Sequence, residues 1–134
     1  MSAQLTAQQT LQLANVFARL LSEIGDFRHA HFNELPPAEA ARLKEAMDRA
    51  SDTSRLLLNH TVLLAGQGAT QSIQALQDVT EHLDQLSTAK EKTQQWLDIA
   101  GSVISLAAGI LTHDPSALGG IGDLIGKISD AIAA

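Results

Sequence analysis

The sequence predicts an all-α fold, a bundle of four to five mostly antiparallel helices closed by an apolar Gly/Ala-rich C-terminal helical hairpin. Three observations lead there. Ala, Leu and Gln dominate while aromatic side chains make up only 3% of the chain, a composition suited to helices. Apolar positions recur at intervals of three and four rather than two. Finally, 134 residues without a cysteine are enough for one core that needs no disulfide staple. A single domain over residues 1–134 is therefore expected, with candidate helices at 6–24, 37–65, 70–87, 89–112 and 115–133.

The first helix begins at Thr6, where Thr6 and Gln9 have the spacing of a capping box, and its inward stripe is Leu13, Val16, Phe17, Leu20, Leu21 and Ile24. Gly25 is the expected stop. Residues 26–35 carry Phe27, His29, His31 and Phe32 without a clean period and read as an irregular or short helical connector. Pro36 and Pro37 force a boundary, because proline disfavours helix in the residue before it and suits a first helical turn. The second helix therefore starts near Pro37. Along it Leu43, Met47, Ala50, Ser54, Leu57, Thr61 and Leu64 step by four and three, the spacing of a bundle seam. Lys44/Asp48 and Glu45/Arg49 pair on the outer face, and Gly66 and Gly68 end the helix.

Thr70 caps the third helix, whose seam is Leu76, Val79, Leu83 and Leu86. The register resumes as Leu97, Ala100, Ile104, Ala107 and Leu111, which would allow one rod of roughly 60 Å. Thr88 and Glu91 nevertheless form a second capping-box pair, and a rod of that length would overshoot its neighbours, so a break near residues 87–88 is expected. Asp114 followed by Pro115 is a strong start signal for the last helix, with the stripe Leu118, Ile121, Ile125, Ile128 and Ile132.

Composition removes several classes of function. Nine Lys and Arg against fifteen Asp and Glu give a formal charge of −6, and the basic residues are scattered, so the footprint that a phosphate backbone requires is missing. No nucleic-acid partner is expected. Thiol chemistry and cysteine-ligated zinc fall with the absence of cysteine. No basic segment followed by an apolar one opens the chain, which points to the cytoplasm or to export without a visible signal peptide. The serine-hydrolase, phosphate-loop and zincin motifs are all missing, so no catalytic residue, cofactor or enzymatic activity is expected. Asp78, Glu81 and Asp84, with Gln77 and Gln85 beside them, read as one solvated face.

Asp26, His29, His31 and Glu34 are the right residue types for a divalent metal, but on a helix His29 and His31 point about 200° apart, so no metal site is expected. His60 and His82 lie singly near helical seams. His113 neighbours Asp114 at the hairpin turn.

The unusual region is 96–134. Asp114 is the one formally charged residue between Asp98 and Asp123, and Gly101, Ser105 and Gly109 recur at four-residue spacing, as do Gly122 and Gly126. A helical glycine costs about 1 kcal/mol relative to Ala, so such a group calls for a packing reason, and close approach of the two helices supplies one. Trp96 stands where the polar stretch 87–95 meets the apolar hairpin, a place that suits an amphipathic indole. This pattern is similar to the hydrophobic hairpins of α-helical pore-forming toxins, stored packed and released on contact with membrane. The resemblance covers residues 96–134, rests on composition and spacing, and carries over no functional residue. Two functions follow as expectations. One is a non-enzymatic interaction or assembly module that takes a protein partner or associates with itself. The other is a membrane-active protein whose hairpin inserts into a bilayer. Trp96, Gly101, Ser105, Gly109, Gly122 and Gly126 are the candidate interaction and packing residues.

Overall fold

The computed structural model describes residues 3–59, 64–65, 69–86, 92–112, 114 and 116–133. Five helices carry the fold: α1 (Ala7–Ala30), α2 (Pro37–Leu58), α3 (Ala69–Thr80), α4 (Thr93–Leu111) and α5 (Ile121–Ala133). Short 3₁₀ turns occupy Leu83–Leu86 and Ala117–Gly120. A two-residue antiparallel ladder pairs β1 (Ala3–Gln4) with β2 (Leu64–Ala65). The all-α bundle read from the sequence is the fold.

α1 opens with the expected capping box. Thr6 Oγ1 accepts from the Gln9 N–H at 3.1 Å, and the Thr6 N–H donates to Gln9 Oε1 at 2.9 Å. Its buried face holds Leu13, Val16, Phe17, Leu20 and Ile24, while Leu21 packs on the margin. Gly25 does not end it. The helix runs on to Ala30 with Phe27 buried, and Met47 of α2 brings its Cε to 3.1 Å from where a Gly25 Cβ would sit. The glycine admits a neighbour instead of breaking the helix, and of the two readings of the connector the helical one holds for residues 26–30, as a continuation of α1.

α2 starts at Pro37 as expected but stops at Leu58, not residue 65, and Leu64 belongs to the ladder. Its inner face is Leu43, Ala46, Ala50, Ser54 and Leu57. Thr61 lies outside the described residues. Outside, Lys44 pairs with Asp48 at 3.1 Å, whereas Glu45 pairs with Arg42 at 3.6 Å and not with Arg49. The direction of packing is plain from three contacts. Arg28 Nε donates to the Ala40 carbonyl, Gly25 meets Met47, and Ser54 Oγ donates to the Ala14 carbonyl. Numbers rise along α1 as they fall along α2, so the pair is antiparallel.

A single rod from 70 to 111 is excluded, since α3 ends at Thr80, short of the expected residue 87. Leu83 and Leu86 remain buried, but in a 3₁₀ turn. The proposed cap at Thr88 lies outside the described residues. On α4 the fully buried stripe is Trp96, Ile99, Val103, Leu106 and Ile110, together with Ala100 and Ala107, whereas Leu97, Ile104 and Leu111 are only partly buried. The expected seam was thus rotated toward the flank. The reason is Trp96, which is fully buried, stacks on Phe27 of α1 with centroids 5.2 Å apart, and sets which face turns inward.

Asp114 does mark a start, but of a turn: its Oδ1 accepts from the Ser116 N–H and Oγ, and the α-helix proper begins at Ile121 rather than 115. On α5 Ile121, Leu124, Ile128 and Ala131 are buried. Contacts between elements run α1 to α2, α2 to α4, α4 to α5, α5 to α3 and α3 back to α1. The helices therefore close a ring around one core, with Trp96 and Phe27 meeting across its centre.

Candidate functional site

The glycines and Ser105 of the hairpin do not meet across it. Gly101 turns toward α2, with Arg42 Nη2 at 3.4 Å from its would-be Cβ, and Ser105 is exposed. Gly109 does have a close neighbour, Ala117, whose Cβ would stand 2.8 Å away, but that contact belongs to the local turn. Gly122 and Gly126 face open space, with nothing within 4 Å. The expectation of a small-residue seam inside the hairpin is therefore corrected. Four-residue spacing put these residues on one stripe, but the phase of each helix is set by its larger side chains, and the glycines of α4 and α5 do not face one another.

Polar contacts tie the hairpin instead. Ser102 Oγ donates to Asp123 Oδ2 at 2.8 Å, and Lys92 Nζ donates to the Ala131 carbonyl at 3.1 Å. The pairs 102/123 and 92/131 make α4 and α5 antiparallel. Trp96 does not stand at a boundary. Its Nε1 donates to the Leu86 carbonyl at 3.0 Å in the buried interior, which satisfies the one polar atom of the indole.

Around residues 26–34, His31 is buried against Phe27, with ring centroids 4.7 Å apart, and its Nδ1 lies 3.3 Å from Glu34 Oε2. His29 and Asp26 point to solvent. Among the described residues no group of three or more His, Asp or Glu is placed to hold a metal ion. His82 is exposed, and His60 and His113 lie outside the described residues.

Two concave regions among the described residues stand out. A cleft of mixed lining, about 390 Å³, lies between α1 and the end of α3, with Val16 and Ala18 beside Asn15, Arg19, Thr80 and Glu81. Its charged side chains, Arg19 and Glu81, are of opposite sign, and among the described residues that line it no hydroxyl is hydrogen-bonded to a base. The second is an apolar groove of about 310 Å³ where α1 begins and α2 ends, lined by Ala7, Gln8, Thr10, Leu11, Leu57 and Leu58. Leu57 forms its buried floor, and the walls are Leu11 and Leu58, 51% and 50% exposed.

Sequence reasoning passed over this groove, although a signal was there. Three consecutive leucines at 56–58 span about 200° of a helix, so they cannot all face one core. Leu11 likewise falls outside the inward stripe of α1.

No family model, curated protein or solved structure matches this chain. Among the described residues no helix is long and apolar enough to cross a membrane.

Proposed function

We propose that the protein is a non-enzymatic interaction module that associates with itself through the groove at the start of α1 and the end of α2. The observation that carries this reading is the pair of half-exposed leucines, Leu11 and Leu58, flanking an apolar groove floored by Leu57. Isolated surface leucines are ordinary, but two that flank one concave apolar patch offer both knob and hole. Such a patch is self-complementary, as a two-fold interface requires. Charge favours the same occupant. A chain of net charge −6 repels its own copies, yet the described residues that line this groove are all uncharged, so two copies meeting on them bring no like charges together.

The bilayer reading has less support, because Trp96 is spent on the core and Asp123 and Asp130 stand exposed on α5. Light scattering over a concentration series decides the proposal. The expected result is a dimer whose dissociation constant rises roughly 30-fold on Leu58→Glu, the loss of about 2 kcal/mol typical of a central anchor. Leu11→Glu should act alike. Both changes fall on exposed sites and should leave the helical circular dichroism intact. A monomeric mass at every concentration, or a dimer indifferent to both changes, would overturn self-association through this face.

A further inference from the structure

Glu23 occupies an unusual place for a carboxyl group. It lies within α1 with its side chain only 7% exposed, and Arg19 Nε donates to Oε1 at 3.1 Å. Its other oxygen, Oε2, is buried with no hydrogen-bond partner among the described residues. Taking a carboxyl out of water costs stability that one such bond offsets only in part, so the group does little for the fold and acts on its partner instead. Holding Nε orients the guanidinium plane and spares its Nη donors.

That guanidinium belongs to the wall of the cleft between α1 and the end of α3. Asn15, four residues before Arg19, and Ser22, three after it, share the same face of α1 and add an amide and a hydroxyl to the wall. The buried lining residues, Val16 and Thr80, form the floor, and the Thr80 hydroxyl is already used on the Gln77 carbonyl at 2.9 Å. Glu81, the residue after α3, supplies the second charge. At about 390 Å³ the cleft falls within the range of roughly 300 to 1,000 Å³ that small ligands occupy, and its described lining shares no residue with the leucine groove.

The two charges decide what fits. A simple anion would meet Arg19 but also Glu81, and a simple cation would meet the reverse. A small ligand that carries both charges meets each with its opposite, and an oriented guanidinium suits a carboxylate. Asn15, Ser22 and Val16 offer hydrogen bonds and an apolar contact but no third charge, so the remainder of the ligand is uncharged. We propose that this cleft binds a free α-amino acid with an uncharged side chain, its carboxylate on Arg19 and its ammonium on Glu81, with Glu23 as the residue that positions Arg19. The site is separate from the self-association face and does not depend on it.

The test is saturation-transfer NMR and calorimetry of the full chain at about pH 7 with L-leucine, L-threonine and L-glutamine, each also as its methyl ester and its N-acetyl derivative. The expected result is saturable binding of at least one free amino acid, weakened about tenfold or more when either its carboxylate or its ammonium is blocked. Arg19→Gln should weaken the free amino acid by a similar factor and leave the weaker binding of its methyl ester unchanged; Glu81→Gln should do the same with respect to the N-acetyl derivative. Both positions are exposed, so far-UV circular dichroism should not move. Glu23→Gln keeps an acceptor for Nε and should retain binding, whereas Glu23→Leu should copy Arg19→Gln. If Glu23→Leu does not fold, the two exposed variants still decide the site. No saturable binding by any of the three amino acids, equal binding of a blocked form, or binding indifferent to Arg19→Gln and Glu81→Gln would each overturn it. A folded Glu23→Leu that binds like the parent would overturn the positioning role.

Discussion

At the scale of single residues, glycines in one hairpin are predicted to behave in opposite ways. Gly126 stands inside α5 with open space where a Cβ would go, so Gly126→Ala should stabilise by about 0.5 to 1 kcal/mol through helix propensity alone. Gly122, in the first turn of the same helix, should gain less. Gly109→Ala would instead place a methyl 2.8 Å from the Cβ of Ala117 and 3.3 Å from its Cα, where no flexible side-chain end can yield. The Gly109 carbonyl also accepts from the Asp114 N–H at 2.9 Å, which ties that backbone in place. Overpacking of this kind costs about 1 to 3 kcal/mol, more than propensity returns. Thermal melts of the three variants check the pattern, and the packing account fails if Gly109→Ala melts above the parent. The sequence showed that these glycines needed an explanation but not which neighbour each one meets. Spacing gives relative phase along one helix, whereas the partner depends on where larger side chains such as Trp96 and Ile99 turn it.

Among the elements, the α1/α2 pair was the most legible. The capping box at Thr6, the start at Pro37 and most of both inner faces follow from local rules, since caps and prolines act within a few residues. Ends that depend on tertiary contacts were not. Gly25 carries the same local signal as a stop, yet the helix continues past it, with Met47 of α2 packed where a side chain would sit. The end of α2 at Leu58 likewise reflects long-range pairing of Leu64 and Ala65 with the start of the chain. Two bonds in this pair should separate by kind. Thr6→Ala removes the side-chain half of the cap and should cost about 0.5 to 2 kcal/mol. Ser54→Ala removes a buried bond to the Ala14 carbonyl at 3.0 Å, which should cost about 0.5 to 1.5 kcal/mol. Because the two sites lie on different elements and share no partner, the double variant should show the sum. Urea titrations of the four proteins measure it, and a clearly non-additive double variant would mean that the cap and the inter-helix bond are one unit.

For the whole molecule, the order of helices in space departs from their order in the chain. Consecutive elements are usually neighbours, yet α2 packs on α4 and α3 packs on α1 and α5. No local pattern encodes that exchange, which is why the helices could be read from the sequence and their arrangement around the core could not. The groove escaped for a related reason, since Leu11 and Leu58 are distant in sequence and meet only once α1 and α2 fold back on each other. Global stability should also carry the mark of two carboxyls shifted in opposite senses. Glu23 binds its proton more tightly folded than unfolded, so its protonation stabilises fully below the ordinary value of 4.5, and this is lost as pH rises through the raised folded value. Asp114 is held below its ordinary 3.8 by hydrogen bonds from the Ser116 backbone and hydroxyl, so its contribution is present above 3.8 and lost as pH falls through the lowered folded value. Melting temperature against pH should therefore decline just above pH 4.5 in the parent relative to Glu23→Gln, and a constant difference between the two curves would contradict the assignment.

The ladder between Ala3–Gln4 and Leu64–Ala65 has a consequence for the order of events in folding. It closes a loop from residue 3 to residue 65, and tying the ends of so long a free chain costs several kcal/mol of entropy, about (3/2)RT ln n plus a constant. A two-residue pairing returns less than that, at about 0.5 to 1.5 kcal/mol per net hydrogen bond. The ladder cannot nucleate anything by itself. Once α1 and α2 have zipped antiparallel, however, the start of one and the end of the other are already adjacent, and the remaining search shrinks to a few residues on either side. The expected outcome is that disrupting the ladder speeds unfolding more than it slows folding, which stopped-flow chevrons of the parent and an Ala3→Pro variant would measure.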